Sequence, residues 1–199
     1  MSMWRAKQAQ KSGYRVALLI IGALLAAVIG PAVPAEAYVK LGCKFGGIDP
    51  TIYYSFNPVL SSIRRTATTS GAARWNAVSV PGVFVAWSAG HTENVKVTEW
   101  SAIDSYEAQT VGQCSGGLWV GSTVTFTWNS PSPGGVSGNA TAMRMIATHE
   151  LGHAYGLNHT PNTSCSVTKS VMTQGSVKWS CGWGTEPWAD DINGVNAVY

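Results

Sequence analysis

Charged residues are scarce in this 199-residue chain, since lysine, arginine, aspartate and glutamate together make up only 12% of it. The formal net charge of +3 comes from residues 1–37, because the remainder holds nine basic and nine acidic residues. A protein that binds nucleic acid through phosphate contacts needs clustered lysine and arginine, and no such cluster is left. We therefore expect no nucleic-acid partner. The hydrophobic share of 45% suffices for a buried core, which excludes a wholly disordered chain.

The chain also has no apolar run long enough to span a bilayer comfortably, which takes about 20 residues. Its longest such run, residues 16–29, has 14. Four basic residues precede this run, and the triplet Ala35-Glu36-Ala37 follows it. A basic start, a short apolar stretch and a small-x-small site are typical of a secretory signal peptide. We predict that residues 1–37 are removed and that residues 38–199 form a secreted, extracellular domain that no longer contacts the membrane; an uncleaved membrane anchor is the alternative.

Cysteine is sparse, and all four cysteines lie in the part that we expect to be exported: Cys43, Cys114, Cys165 and Cys181. An even number of cysteines in an extracellular domain indicates two disulfides, although four cysteines allow three pairings. Proximity along the chain favours Cys43–Cys114 and Cys165–Cys181. A structural zinc knuckle is the competing interpretation, but no two cysteines have the two- to four-residue spacing that such sites use.

The order of predicted elements indicates one α+β domain with no repeat and no linker. A helix is predicted from Ser61 up to Pro81-Gly82 on the spacing of Ile63, Ala67, Trp75 and Val78. A second helix is predicted from a cap at Asn139 or Thr141 to about Tyr155, and a short one begins near Ala189. Strands are predicted at residues 51–56, 83–87, 95–99, 106–111 and 118–128, the last because valine, phenylalanine and tryptophan alternate with threonine.

The second helix ends in the sequence that carries the chemistry, His-Glu-Leu-Gly-His-Ala-Tyr-Gly-Leu-Asn-His over residues 149–159. His149 and His153 are four residues apart, so their imidazoles lie on one helical face and can share one metal ion. Glu150 can lie beside an open coordination position without binding the ion. Gly156 permits a left-handed turn that brings His159 back towards the metal. Three imidazoles and a free fourth position are typical of a catalytic zinc site, whereas the unspecific alternative is a helix with surface histidines.

This pattern resembles the metzincin metallopeptidases, and within them the matrixins, because every fixed position of H-E-x-x-H-x-x-G-x-x-H is matched. Ser170-Val171-Met172 lies where metzincins have the methionine turn beneath the metal. The ending from Asp190 onwards is similar to the last matrixin helix, and one of its paired aspartates, Asp190 or Asp191, would tie that helix to the methionine turn or to the N-terminus. The resemblance implies a metzincin-like catalytic domain with a twisted mixed sheet, two long helices and a short C-terminal helix.

The sequence also departs from the matrixin pattern. Gln174 stands two residues after Met172, where matrixins usually have proline and other metzincins a tyrosine ligand, so no fifth ligand is implied. Matrixins hold a second, structural zinc with several upstream histidines, but only His91 precedes the motif here, and we expect a solvent-exposed loop histidine there. Calcium is allowed by family analogy, but no aspartate-rich loop supports it.

Together these observations predict a secreted zinc endopeptidase that acts as a monomer on protein or peptide substrates. His149, His153 and His159 would hold one Zn²⁺, which lowers the pKa of its water and polarises the scissile carbonyl, and Glu150 would serve as the general base. We expect the wall that selects substrate side chains to lie between His159 and Pro187. The rival is a non-catalytic, zinc-stabilised binding protein, which would have no need of Glu150.

Overall fold

The computed structural model describes residues 38–101, 105–161, 164–165 and 168–199, and the predicted signal peptide lies outside them. Seven strands are found in these residues: β1 (Val39–Lys40), β2 (Thr51–Phe56), β3 (Val83–Ala86), β4 (Val95–Trp100), β5 (Ala108–Ser115), β6 (Leu118–Asn129) and β7 (Leu157–Asn158). The helices are α1 (Ser62–Asn76), α2 (Ala140–Tyr155), α3 (Val177–Ser180) and α4 (Ala189–Val198). No helix within these ranges has the length and apolar character needed to cross a membrane.

The main sheet is mixed and has five strands in the order β3-β2-β4-β6-β5. Its first three pairings are parallel, and only β5 runs antiparallel to its neighbour β6. Alternate side chains of each inner strand face the helices, as the buried Val124, Phe126 and Trp128 of β6 show. This period-two pattern is the one that predicted β6. The α+β fold with a mixed sheet, two long helices and a short last helix is therefore confirmed.

The two long helices pack closely against each other. The indole Nε1 of Trp75 in α1 donates a 2.8 Å hydrogen bond to the carbonyl of Thr148 in α2. Gly71 faces the same contact, and a Cβ built on it would lie 2.8 Å from the amide nitrogen of Thr148. The missing side chain at Gly71 therefore sets how near α1 comes to the metal-binding helix.

Three details differ from the predictions. Helix α1 ends at Asn76, before Val78, and Ile63 is 43% exposed, whereas Arg64 beside it is buried. Arg64 donates to the carbonyl of Asn129 and pairs with Glu99, so hydrogen bonding and charge replace the apolar contact that periodicity predicted at this turn. Strand β5 begins at Ala108 and runs to Ser115, four residues further than predicted, because it follows its long partner β6 through the turn.

We expect Gly71→Ala to destabilise the protein, although alanine stabilises a helix by about 0.5–1 kcal/mol relative to glycine. Its methyl group would overlap the backbone of α2, and overpacking of this kind costs about 1–3 kcal/mol. A net loss of about 1–2 kcal/mol should lower Tm by about 2–8 °C in a domain of this size. Gly46→Ala is the control, because nothing lies within 4 Å of its added Cβ. An unchanged Tm for Gly71→Ala would show that the helices can move apart freely.

Candidate metal centre and cleft

Helix α2 places two of the three predicted ligands and then turns the third one back. The side chain of Asn139 caps its start by accepting from the amide of Ala142, as one of the two predicted caps requires. Gly156 ends it in the left-handed conformation, with φ 103°, and its N–H donates to the carbonyls of Gly152 and His153. A Cβ at this position would lie 2.3 Å from the carbonyl oxygen of Cys43. Position 156 therefore requires glycine for two reasons, the left-handed turn and the close contact with the Cys43 carbonyl.

The structure brings the three histidines together with their Nε2 atoms facing one another. His159 Nε2 lies 3.2 Å from His149 Nε2 and 3.1 Å from His153 Nε2. Nitrogen ligands about 2.0–2.1 Å from a tetrahedral zinc would be separated by about 3.3 Å. The cluster therefore has the spacing that one tetrahedral Zn²⁺ requires.

Backbone carbonyls fix the other nitrogen of two of these rings. His149 Nδ1 lies 2.7 Å from the carbonyl oxygen of Val171, and His153 Nδ1 lies 2.7 Å from that of Leu157. Donation to a carbonyl places the hydrogen on Nδ1 and leaves the Nε2 lone pair for a metal. Burial lowers the pKa of His149 well below its usual value and lowers those of His153 and His159 to about 4. All three rings are therefore neutral at physiological pH, as metal ligands must be.

Glu150 follows the first of these histidines and is only 5% exposed. Burial raises the pKa of its carboxyl to about 7, against the opposing influence of Thr110 and Lys178. Within the described residues, its Oε2 atom has no hydrogen-bond partner. A buried carboxylate oxygen without a protein partner is expensive to maintain, which favours a functional explanation.

The methionine turn lies directly under α2. Met172 is 1% exposed, and its sulfur would lie 2.4 Å from a Cβ built on Gly152, so no larger residue fits there. Asp191 of α4 secures this turn by accepting from Ser170 Oγ and from the backbone amides of Val171 and Met172. The expected tie between the last helix and the methionine turn is thus made by Asp191.

Both disulfides favoured by chain proximity are present, Cys43–Cys114 and Cys165–Cys181. The second joins residues 16 positions apart and spans the segment from the methionine turn to α3. The expected loop histidine, His91, is exposed and stacks on Tyr53 with ring centroids 4.3 Å apart, so it takes no part in the histidine cluster.

A cleft of about 870 Å³ opens beside the histidine cluster. Strand β5 lines one side of it with Ala108, Gln109 and Thr110, and the histidine face of α2 forms its base. The cleft is also lined by Gln174, Gly175, Val177, Lys178 and Trp179. The segment that holds them, residues 174–179, is here called the wall segment and lies in the stretch where a substrate-selecting wall was expected. Gln174 belongs to this wall segment. The group of side chains that could hold a metal ion in the described residues consists of the three histidines and does not include Gln174.

Lys178 of α3 is a cleft residue that sequence reasoning missed. It is only 4% exposed, and its Nζ lies 3.3 Å from the Val171 carbonyl oxygen and 3.3 Å from His149 Nδ1. Burial lowers the pKa of this amine to about 8, although Glu150 and Asp191 act in the opposite direction. The sequence around Lys178 has no hydrophobic periodicity, so it gives no sign that this lysine points inwards.

The match to a family model agrees with the predicted family. The family model described as matrixin matches residues 69–199, which is well over half of the chain. Among solved structures, the chain is similar to high choriolytic enzyme 1, a hatching-enzyme zinc protease from the medaka fish Oryzias latipes, with 15% identity and a TM-score of 0.49. That similarity covers 78% of this chain and 92% of the other. No curated protein matches the sequence.

Removal of the Cys165–Cys181 bond should loosen the wall segment and leave the histidine cluster intact. In the chain-entropy model a loop of this size contributes about 3 kcal/mol, so Cys165→Ser/Cys181→Ser should have a lower Tm. Hydrogen exchange should also accelerate at residues 171–179. The control, Cys43→Ser/Cys114→Ser, should lose stability without that local acceleration. Unchanged exchange at residues 171–179 in the first variant would mean that packing alone holds the wall.

Proposed function

The chain belongs to the matrixin family of zinc metalloendopeptidases, and from this premise we propose that His149, His153 and His159 hold its catalytic zinc and that Glu150 is the general base. The proposal is carried by one observation: His159 Nε2 lies 3.1 Å from His153 Nε2 and 3.2 Å from His149 Nε2, in a cleft that Glu150 also lines, and Glu150 Oε2 has no hydrogen-bond partner among the described residues. Zinc in such a site supplies a Lewis acid that polarises the peptide carbonyl and acidifies water.

Glu150 supplies the proton transfers that peptide hydrolysis needs. Its Oε2 atom accepts a proton from the attacking water and later delivers it to the amine of the leaving peptide. Burial favours the protonated form of this carboxyl, which suits a group that must hold the proton between the two steps. The low exposure of Glu150 also keeps bulk water from competing for that proton.

Strand β5 offers a means of holding an extended substrate. It is the edge strand of the main sheet, and its first three residues line the cleft. A peptide lying in the cleft would add to this edge by backbone hydrogen bonds, while alternate side chains point to the wall segment. A protein or peptide substrate can therefore be recognised partly without regard to its sequence.

We further propose that the protein is secreted and works as a monomer, with residues 1–37 removed as a signal peptide and residues 38–199 released from the membrane. Two disulfides support an oxidising compartment, since such bonds are rare in the cytosol. N-terminal sequencing of the protein from culture medium tests this: a start near Tyr38 is expected, and a chain that stays in the membrane with an intact N-terminus would contradict it.

Glu150→Gln should abolish catalysis while zinc remains bound. The amide keeps the size of the side chain but cannot accept the proton, so peptide cleavage should fall by at least about 100-fold with close to one zinc per chain. Cleavage rates and metal content are measured on the same preparation. Glu186→Gln, which changes an exposed carboxylate outside the cleft, is the control. Wild-type activity in Glu150→Gln would refute the assignment of the base.

His159→Ala should lose zinc as well as activity, because two imidazoles leave the ion under-coordinated. The loss of affinity should exceed the roughly 10–100-fold that removal of an outer hydrogen bond to a ligand costs. Zinc is determined after dialysis, with His91→Ala as the control because that histidine lies outside the cluster. If His159→Ala kept stoichiometric zinc, His159 would not be a ligand.

A further inference from the structure

Lys178 leaves hydrogen-bonding capacity unused in the wall of the cleft. For His149 Nε2 to face a metal, His149 Nδ1 must carry the hydrogen that it donates to Val171, so Nδ1 cannot accept from Lys178. Among the described residues, the Val171 carbonyl, 3.3 Å away, is then the one hydrogen-bond acceptor left for an ammonium group that can donate three hydrogen bonds. Because the Lys178 side chain is only 4% exposed, bulk water cannot readily accept the other hydrogen bonds that the ammonium group can donate.

Among the described residues, Lys178 also has no ion-pair partner within 4.0 Å, although the charges of Glu150 and Asp191 act on it. The salt bridges within 4.0 Å that join described residues are Arg64–Glu99 and Arg74–Glu186. Asp191, whose charge acts on Lys178, already accepts from Ser170, the amides of the methionine turn and the amide of Trp188. Glu107, the other carboxylate that lines the cleft with Glu150, is held by Ser132 Oγ and the amide of Gly134.

A buried cation that has no ion-pair partner beside a substrate cleft can bind an anionic group of the substrate. Burying a charge is costly unless it is paired, and a substrate that supplies the missing carboxylate removes that cost at the moment of binding. A neutral substrate side chain of the same shape would leave the ammonium group unpaired, and sites of this kind discriminate strongly against such analogues. The neighbouring Ile146 and Val177 line the same cleft and can contact the methylene groups of an incoming side chain.

We propose that Lys178 makes the pocket between α2 and the wall segment selective for an acidic side chain, aspartate or glutamate, in a substrate residue next to the scissile bond. This inference rests on the proposed peptidase function and specifies its substrate class.

The test uses matched peptides that differ only by Glu against Gln at each position flanking the cleaved bond. The zinc-loaded wild type should cleave one glutamate peptide with a kcat/KM at least about tenfold above its glutamine twin, the scale of a charge-assisted hydrogen bond. Lys178→Met, which keeps the length of the side chain without its charge, should bring this ratio to about one. Lys178→Arg should retain a ratio above one, and the control Lys169→Met, at an exposed lysine outside the cleft, should leave it unchanged.

Peptide binding to the inactive Glu150→Gln protein gives a readout that does not depend on turnover. The Glu150→Gln protein should bind the glutamate peptide more tightly than the glutamine peptide. The double variant Glu150→Gln/Lys178→Met should lose this preference. Equal use of both peptides by the wild type, or a preference that survives in zinc-loaded, folded Lys178→Met, would overturn the inference and leave the peptidase function standing. Equal losses on both peptides in Lys178→Met would assign Lys178 to positioning His149 instead. If the zinc-loaded wild type cleaves no peptide at all, the proposed function fails and this inference fails with it.

Discussion

The three-histidine cluster depends on one backbone reversal, the left-handed turn at Gly156. A helix can place two imidazoles side by side but cannot supply a third on the same side of the ion, so the chain must leave α2 at once and come back. At Gly156 the turn is held by its N–H bonds to the preceding helix and by the amide of Leu41, which donates to its carbonyl. Strand β1 then pairs with β7, the two-residue strand that directly precedes His159. The start of the described chain thus positions the third ligand.

A second chain of contacts runs from the last helix to the first ligand. Asp191 holds the methionine turn, the turn presents the Val171 carbonyl, and that carbonyl orients His149 through Nδ1. Burial raises the pKa of Asp191 to about 6, while its four donors act in the opposite direction. The carboxylate is thus committed to the backbone and not to the metal, so the C-terminal helix contributes to the geometry of the site without reaching it. This outer layer supports the histidines, since it selects the tautomer that can bind a metal.

Periodicity and spacing predicted the parts of this protein that are determined locally. The alternation in β6, the cap at Asn139 and the i, i+4 histidines each depend on neighbouring residues, and the structure has all three. Strands β1 and β7 have two residues each and exist only because they pair with each other, so no local pattern marks them. The same holds for the inward direction of Arg64 and Lys178. Arg64 faces inwards because of Asn129 and Glu99, which lie far away in the sequence. Lys178 faces inwards because its Nζ reaches the Val171 carbonyl seven residues earlier, a contact that no local periodicity marks.

Buried and half-buried charged side chains of the described residues differ in how they are satisfied. Arg64 and Glu99 neutralise each other, and although burial tends to raise the pKa of Glu99, its hydrogen bonds to Arg64 and Ser61 hold that pKa below the usual value. Asp191 is satisfied by four donors. Glu150 and Lys178 differ, because among the described residues one carboxylate oxygen and most of one ammonium group have no partner, and both side chains line the same cleft. Charges that stabilise a fold are paired within it, whereas charges that act on a substrate must remain open to it. By this criterion the proposed proton carrier, Glu150, and the proposed selective residue, Lys178, belong together, because α2 and α3 present a negative and a positive group to the same cleft.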